Sequence, residues 1–84
     1  MEIDTIQIKE KVKAFILDQT SVDASKIQDN TLIFQEGYFD SMGFVLLITF
    51  LEETFGIKTV DSDLVEENFE SIDAISEFVM RKSN

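Results

Sequence analysis

The sequence predicts an all-α domain, a four-helix bundle with a long loop between helices 1 and 2 and a short third helix. Three observations predict it. One segment near each end repeats apolar residues at helical spacing. Between them runs a third segment, almost wholly apolar, that begins at Asp40-Ser41 and is followed by Gly56. The length of 84 residues suits a single domain spanning residues 1–84. A chain this short buries only roughly 60–65% of its unfolded surface, so its core is modest.

The first helix is predicted from about Asp4 to Gln19. Ile8, Val12, Phe15 and Ile16 fall at i, i+4, i+7 and i+8 and make one apolar stripe, with Lys9, Lys13 and Asp18 on the other faces. Asp4 with Gln7 three residues later is a start signal. Thr20 to Asp40 is long for a connection, which asks for a functional or well-packed segment. Ile27, Leu32, Phe34, Tyr38 and Phe39 supply apolar anchors, so it is read as an ordered crossover. The second helix is predicted from Ser41 to Phe55, stopped by Gly56, a residue that readily takes the left-handed conformation. Between Met42 and Leu51 only Gly43 and Thr49 are not apolar. A small domain cannot surround such a helix. Either it is central, or part of its apolar surface is left for a partner. A short helical turn is expected over Ser62–Glu67. The last helix is expected over Ser71–Arg81, with Ser71 as cap and Ile72, Ile75, Phe78 and Val79 as buried stripe. Asp73 sits near its positive end and Arg81 and Lys82 near its negative end.

Composition removes many functions. Seven basic and seventeen acidic residues give a net charge of −10, with no histidine, cysteine or proline. That balance opposes binding to a nucleic-acid backbone and steers the protein toward basic partner surfaces. Histidine- and cysteine-based catalysis and thiolate or imidazole metal sites are excluded. From Gln28 to Glu77 the single basic residue Lys58 faces twelve acids. Asp61-Ser62-Asp63 resembles the start of a calcium loop, but such a loop needs glycine at its sixth position and glutamate at its twelfth, where Glu66 and Ile72 stand. These acids read as a solvated face. The longest apolar run, Phe44 to Ile48, is far short of the ~20 residues of a membrane span. Met1 to Asp4 carries neither a basic region nor an apolar signal segment, so a cytoplasmic setting is expected.

The segment Gly37-Tyr38-Phe39-Asp40-Ser41-Met42-Gly43 stands out, because it places a serine hydroxyl at the start of the apolar helix. Two roles fit Ser41 on these residues alone. One is helix capping, by Ser41 or by Asp40. A full capping box is missing, since Phe44 and Gly43 stand where Glu or Gln would be required. The other is an accessible hydroxyl at a helix N-terminus, where free N–H groups and partial positive charge tolerate an attached phosphodiester. Gly43 would leave room beside it. No base is at hand, so an outside enzyme would have to activate the hydroxyl.

Glu36-Gly37-Tyr38-Phe39-Asp40-Ser41-Met42-Gly43, followed by an apolar helix ending Leu51-Glu52-Glu53-Thr54-Phe55-Gly56-Ile57, resembles the acyl carrier protein family. That family carries Asp-Ser-Leu or Asp-Ser-Met at the start of its second helix. Asp23 to Ile27 with Asp29-Asn30-Thr31-Leu32 is similar to its loop, and Glu67 to Ile75 to its third-to-fourth helix junction, so nearly the whole chain is covered. The resemblance implies a 4′-phosphopantetheine arm on Ser41, with Asp40, Met42 and Gly43 as motif neighbours. A phosphopantetheinyl transferase would attach the arm from coenzyme A with magnesium. The arm's thiol would hold an acyl or aminoacyl thioester. The implied protein is a carrier and not an enzyme, a monomer that meets a loading ligase or acyltransferase and downstream synthase enzymes.

The chain also departs from the family pattern. Gly43 and Leu46 fall where fatty-acid carriers usually show acids. The expected partner-binding residues are Leu46 and Phe50 beside Met42, with Glu52 and Glu53 keeping acid at the helix end; the alternative is that the apolar ones are core. Together with Glu67 to Ile72, this resembles stand-alone carriers loaded by adenylating ligases, including aminoacyl, D-alanyl and nonribosomal-peptide types. A specialised carrier is therefore expected ahead of a housekeeping fatty-acid-synthesis carrier. An unmodified acidic adaptor module is the alternative of another class, though an adaptor has no need of the Ser41 hydroxyl.

Overall fold

The two longest helices begin and end where a local group satisfies the backbone. The computed structural model describes residues 4–83; Met1–Ile3, read above for a targeting segment, lie outside the described residues. Helix α1 spans Thr5–Thr20, with Asp4 as its cap, whose side chain accepts the Ile6 N–H at 2.9 Å. It stops at Ser21, which takes a left-handed conformation and donates its N–H to the Leu17 carbonyl. Helix α2 spans Ser41–Phe55 and ends at Gly56 (φ 67°), as the sequence predicts. The last helix, α4, spans Ile72–Ser83, and Ser71 Oγ accepts the Ala74 N–H at 3.1 Å.

The third helix differs from expectation. In place of one turn over Ser62–Glu67 there is a 3-10 turn at Asp61–Asp63 and then helix α3 at Glu66–Phe69. The two are separate because Leu64 leaves helical geometry after the first turn closes on the Val60 and Asp61 carbonyls. That step carries the chain to Phe69, which is fully buried. Among the described residues every regular element is helical.

The core forms where the helical stripes meet. Ile8, Val12 and Ile16 of α1 pack against Ile72, Ile75, Phe78 and Val79 of α4, and Leu47 and Leu51 of α2 complete the cluster. Full burial of one such side chain contributes about 1.5–3 kcal/mol. Phe15, expected in the α1 stripe, is half-buried at its edge.

The long connection between α1 and α2 is ordered by backbone bonds. The Ile33 N–H donates to the Glu70 carbonyl at 3.0 Å, and the Ile33 carbonyl accepts both the Tyr38 and Phe39 N–H groups at 2.9 and 3.1 Å. Further along, the Asp73 N–H donates to the Asp29 carbonyl at 2.9 Å, beside Lys9, whose ammonium reaches Asp73 at 2.9 Å and Asp29 at 3.4 Å. The hydrogen bond to Asp73 is the main reason the Lys9 pKa is raised. Ile27 and Phe39 are buried as anchors, and so is Ile33, which the sequence reading missed; Leu32 is only half-buried.

Ile33 thus closes the crossover both through its backbone and through a fully buried side chain. Ile33→Ala is expected to lower stability by about 2–5 kcal/mol, read as a lower urea midpoint at unchanged slope. A loss under about 1 kcal/mol would mean that the crossover is only draped over the bundle.

Candidate functional site

The start of α2 is built by Asp40, not by Ser41. The Asp40 carboxylate accepts the Gly43 N–H at 3.0 Å and its carbonyl accepts the Phe44 N–H at 2.9 Å. Asp40 is therefore the cap and Ser41 the first helical residue. Ser41 is exposed, and among the described residues no hydrogen bond engages its Oγ. Ser25, another exposed serine, differs, since its Oγ donates to Asp23 at 3.2 Å.

Gly43 does not serve the purpose inferred from the sequence. A Cβ there would stand 3.1 Å from Cγ and 3.2 Å from Cδ2 of the Phe39 ring. The glycine makes room for a core ring and not for the Ser41 hydroxyl.

A surface groove of about 320 Å³ runs beside Ser41. Phe34 and Phe44 form its apolar wall, Leu64 flanks it across the loop, and Asp40 and Glu66 add carboxylates. On the other flank of Asp40 a second shallow groove, lined in part by Tyr38, Gly43, Met42 and Leu46, belongs to an exposed apolar face. On that face Met42 is 66% exposed, Val45 57% and Leu46 42%. Helix α2 thus buries Leu47 and Leu51 and leaves another apolar side exposed.

The remaining residues singled out in α2 divide. Phe50 is half-buried, its ring stacked on Phe15 at 4.4 Å. Glu52 turns to the following loop, where its Oε2 accepts the Thr59 N–H at 3.0 Å and the Thr59 hydroxyl at 2.7 Å. Those bonds, the backbone one first, hold its carboxyl below the ordinary range. Glu53 is exposed. Sequence reasoning missed Leu64 and Glu66 as groove residues. Nothing local in the sequence marks them, because they reach Ser41 only through the fold of the segment leading into α3.

That segment is tied to the end of α4. Lys82 Nζ meets Asp63 Oδ2 at 2.7 Å, Asn68 Nδ2 donates to the Asp63 carbonyl at 2.8 Å, and Arg81 donates to Asn68 Oδ1 at 2.9 Å. The hydrogen bond from Lys82, followed by one from the Val60 N–H, lowers the Asp63 pKa.

The family model for the phosphopantetheine attachment site matches residues 10–79. An acyl carrier protein of Thermosynechococcus vestitus is 34% identical over 76 residues, covering 90% of this chain and 91% of the relative. The chain belongs to the acyl carrier protein family. Two further acyl carrier proteins are similar. That of Solidesulfovibrio magneticus is 34% identical over 58 residues, 69% of this chain and 74% of its own. That of Helicobacter hepaticus is 35% identical over 54 residues, 64% of this chain and 71% of its own.

As a family member the protein is a carrier and not an enzyme, bearing a covalently attached 4′-phosphopantetheine. Its partners are a phosphopantetheinyl transferase and synthase or acyltransferase enzymes. No helix among the described residues is long and apolar enough to cross a membrane. The first turn of α2 fits the prosthetic group. It offers an exposed hydroxyl, the positive end of a fifteen-residue helix for the phosphodiester, and an adjoining groove for the arm.

The tie at Asp63 has a pH signature. The folded state binds the Asp63 proton less readily than the unfolded chain does. Its contribution is therefore full above the ordinary value near 3.8 and is lost as pH falls through the lowered folded value. The stability difference between wild type and Asp63→Asn is expected to stay constant from neutral pH to about 5 and to shrink below that. Urea midpoints measured across that range check it. A difference that grows in acid would contradict the assignment.

Proposed function

We propose that Ser41 is the attachment point of the 4′-phosphopantetheine arm and that the chain is a specialised, stand-alone carrier. In this reading an adenylating ligase loads it with an acyl or aminoacyl group in the cytoplasm. The observation that supports this reading best is the exposed apolar face Met42-Val45-Leu46 beside the free Ser41 hydroxyl. A housekeeping fatty-acid carrier would present acid there. With Leu46 on that face and Gly43 pressed against Phe39, partner recognition next to the arm is apolar at its centre and acidic at its rim, through Glu53. Phe50 and Glu52, held in intramolecular contacts, support the face without forming it.

Intact mass tests the attachment. Incubation of the apo form with coenzyme A, magnesium and a broad-specificity phosphopantetheinyl transferase is expected to add one phosphopantetheine to the wild type and none to Ser41→Ala. A folded, arm-free wild type that gains nothing would return Ser41 to a purely structural place in the first helical turn.

The docking face has its own test. Leu46 is exposed, so Leu46→Glu is expected to keep the wild-type melting temperature. Its kcat/KM as substrate of the same transferase is expected to fall by about tenfold, the size of a modest interface hot spot. Unchanged kcat/KM in a folded variant would sink the apolar docking face.

A further inference from the structure

We infer that this carrier keeps its cargo outside the bundle, on an arm laid along the surface groove beside Ser41, so that its cargo class is a short acyl or aminoacyl group and not a long fatty chain. The inference rests on attachment at Ser41. From that residue the groove leads toward the interior between α2 and the α3–α4 segment, and aromatic rings fill that space. Phe34 meets Phe44 at 5.8 Å between centroids, Phe44 meets Phe69 at 5.3 Å, and Phe69 meets Phe78 at 4.8 Å. All three contacts are edge-to-face, the geometry in which rings attract beyond their area burial. Phe69 is 0% and Phe78 1% exposed, so the inner rings have no free side along which an alkyl chain could lie.

The outer rings make the apolar wall of the groove. Phe34 and Phe44 are half-buried; both line the groove and both meet other rings of the series. At about 320 Å³ the groove falls at the small end of ligand sites, which run from about 300 to 1,000 Å³. A long acyl chain would have to displace Phe44 from Phe69 and would meet a packed interior that resists added volume. A short cargo needs no such displacement, and its thioester stays open to the partner enzyme and to water.

The test compares acetyl and octanoyl forms of the full chain, made by transfer of acyl-phosphopantetheine from the corresponding coenzyme A thioesters. Peptide mass mapping first locates the arm. An arm on another residue overturns the Ser41 reading itself, before any cargo is compared. With the arm on Ser41, amide and methyl NMR shifts are expected at Phe34, at Asp40–Phe44 and at Leu64–Glu66 for both cargoes, with Leu47, Leu51 and Ile75 unmoved. Cleavage of the two thioesters by hydroxylamine, followed by mass, is expected to agree within about twofold, as for equally exposed groups. Octanoyl-dependent shifts of Leu47 and Ile75, with cleavage slowed about tenfold or more relative to acetyl, would show a buried chain and overturn the inference.

Phe44→Ala tests the ring barrier directly. It is expected to admit the octanoyl chain, slowing its cleavage several-fold while leaving acetyl unchanged. A folded Phe44→Ala whose octanoyl thioester is as exposed as in wild type would also overturn the inference. If Phe44→Ala fails to fold, Phe44→Leu replaces it, with the same readout and partial shielding expected.

Discussion

All eight phenylalanines of the chain touch one another in a single series: Phe78, Phe69, Phe44, Phe34, Phe39, Phe15, Phe50 and Phe55. The series passes through α4, α3, α2, the crossover and α1, and returns to α2. It links the four α-helices and the crossover in sequence with few buried residues, which a domain of this size needs. Aliphatic side chains fill the angles between the rings. The crossover, whose regular structure among the described residues is a single 3-10 turn at Ala24–Lys26, is held because two of its rings, Phe34 and Phe39, sit in mid-series. The position of Ser41 follows, since Asp40 is the residue next to Phe39 and caps the helix that presents the hydroxyl.

Electrostatics plays a secondary part. With ten more acids than bases, the chain places three of its seven cations at junctions. Lys9 joins α1 to the crossover and to α4, while Lys82 and Arg81 join α4 to the segment before and within α3. Each such pair is partly solvated and contributes modestly. Their placement matters more than their strength, because they fix the two loops that flank the start of α2. Many acids remain exposed and give the surface a negative field.

Much of this was legible in the sequence because helix boundaries rest on short-range chemistry. Ser41 to Phe55 was read with both ends correct, since Asp40 before it and Gly56 after it act on immediate neighbours. The buried stripes of α1 and α4 were legible through their period. Two features were not. In Leu32-Ile33-Phe34 three apolar residues stand in a row without a period, and only a long-range bond, from Ile33 to Glu70, decides which one points inward. The segment before Phe69 was read as one short helical turn over Ser62–Glu67; the departure of Leu64 from helical geometry splits it in two, and the second piece carries Phe69 into the ring series. At the site, the serine and its neighbours were found from the motif. The purpose of Gly43, the opposite wall of the groove at Leu64 and Glu66, and the inward commitments of Phe50 and Glu52 all depend on what lies across the fold.

The close approach of Phe39 to Gly43 also constrains how this surface could evolve. Any side chain at position 43 begins with a Cβ about 3.1 Å from the Phe39 ring, which must shift to admit it. Whether a carboxylate fits at position 43 is thus decided by whether the Phe39 ring can give by a few tenths of an ångström. That ring sits mid-series, against Phe15 on one side and Phe34 on the other, so any movement is passed to both. The charge this stretch of surface can acquire is therefore coupled to the packing of one interior ring.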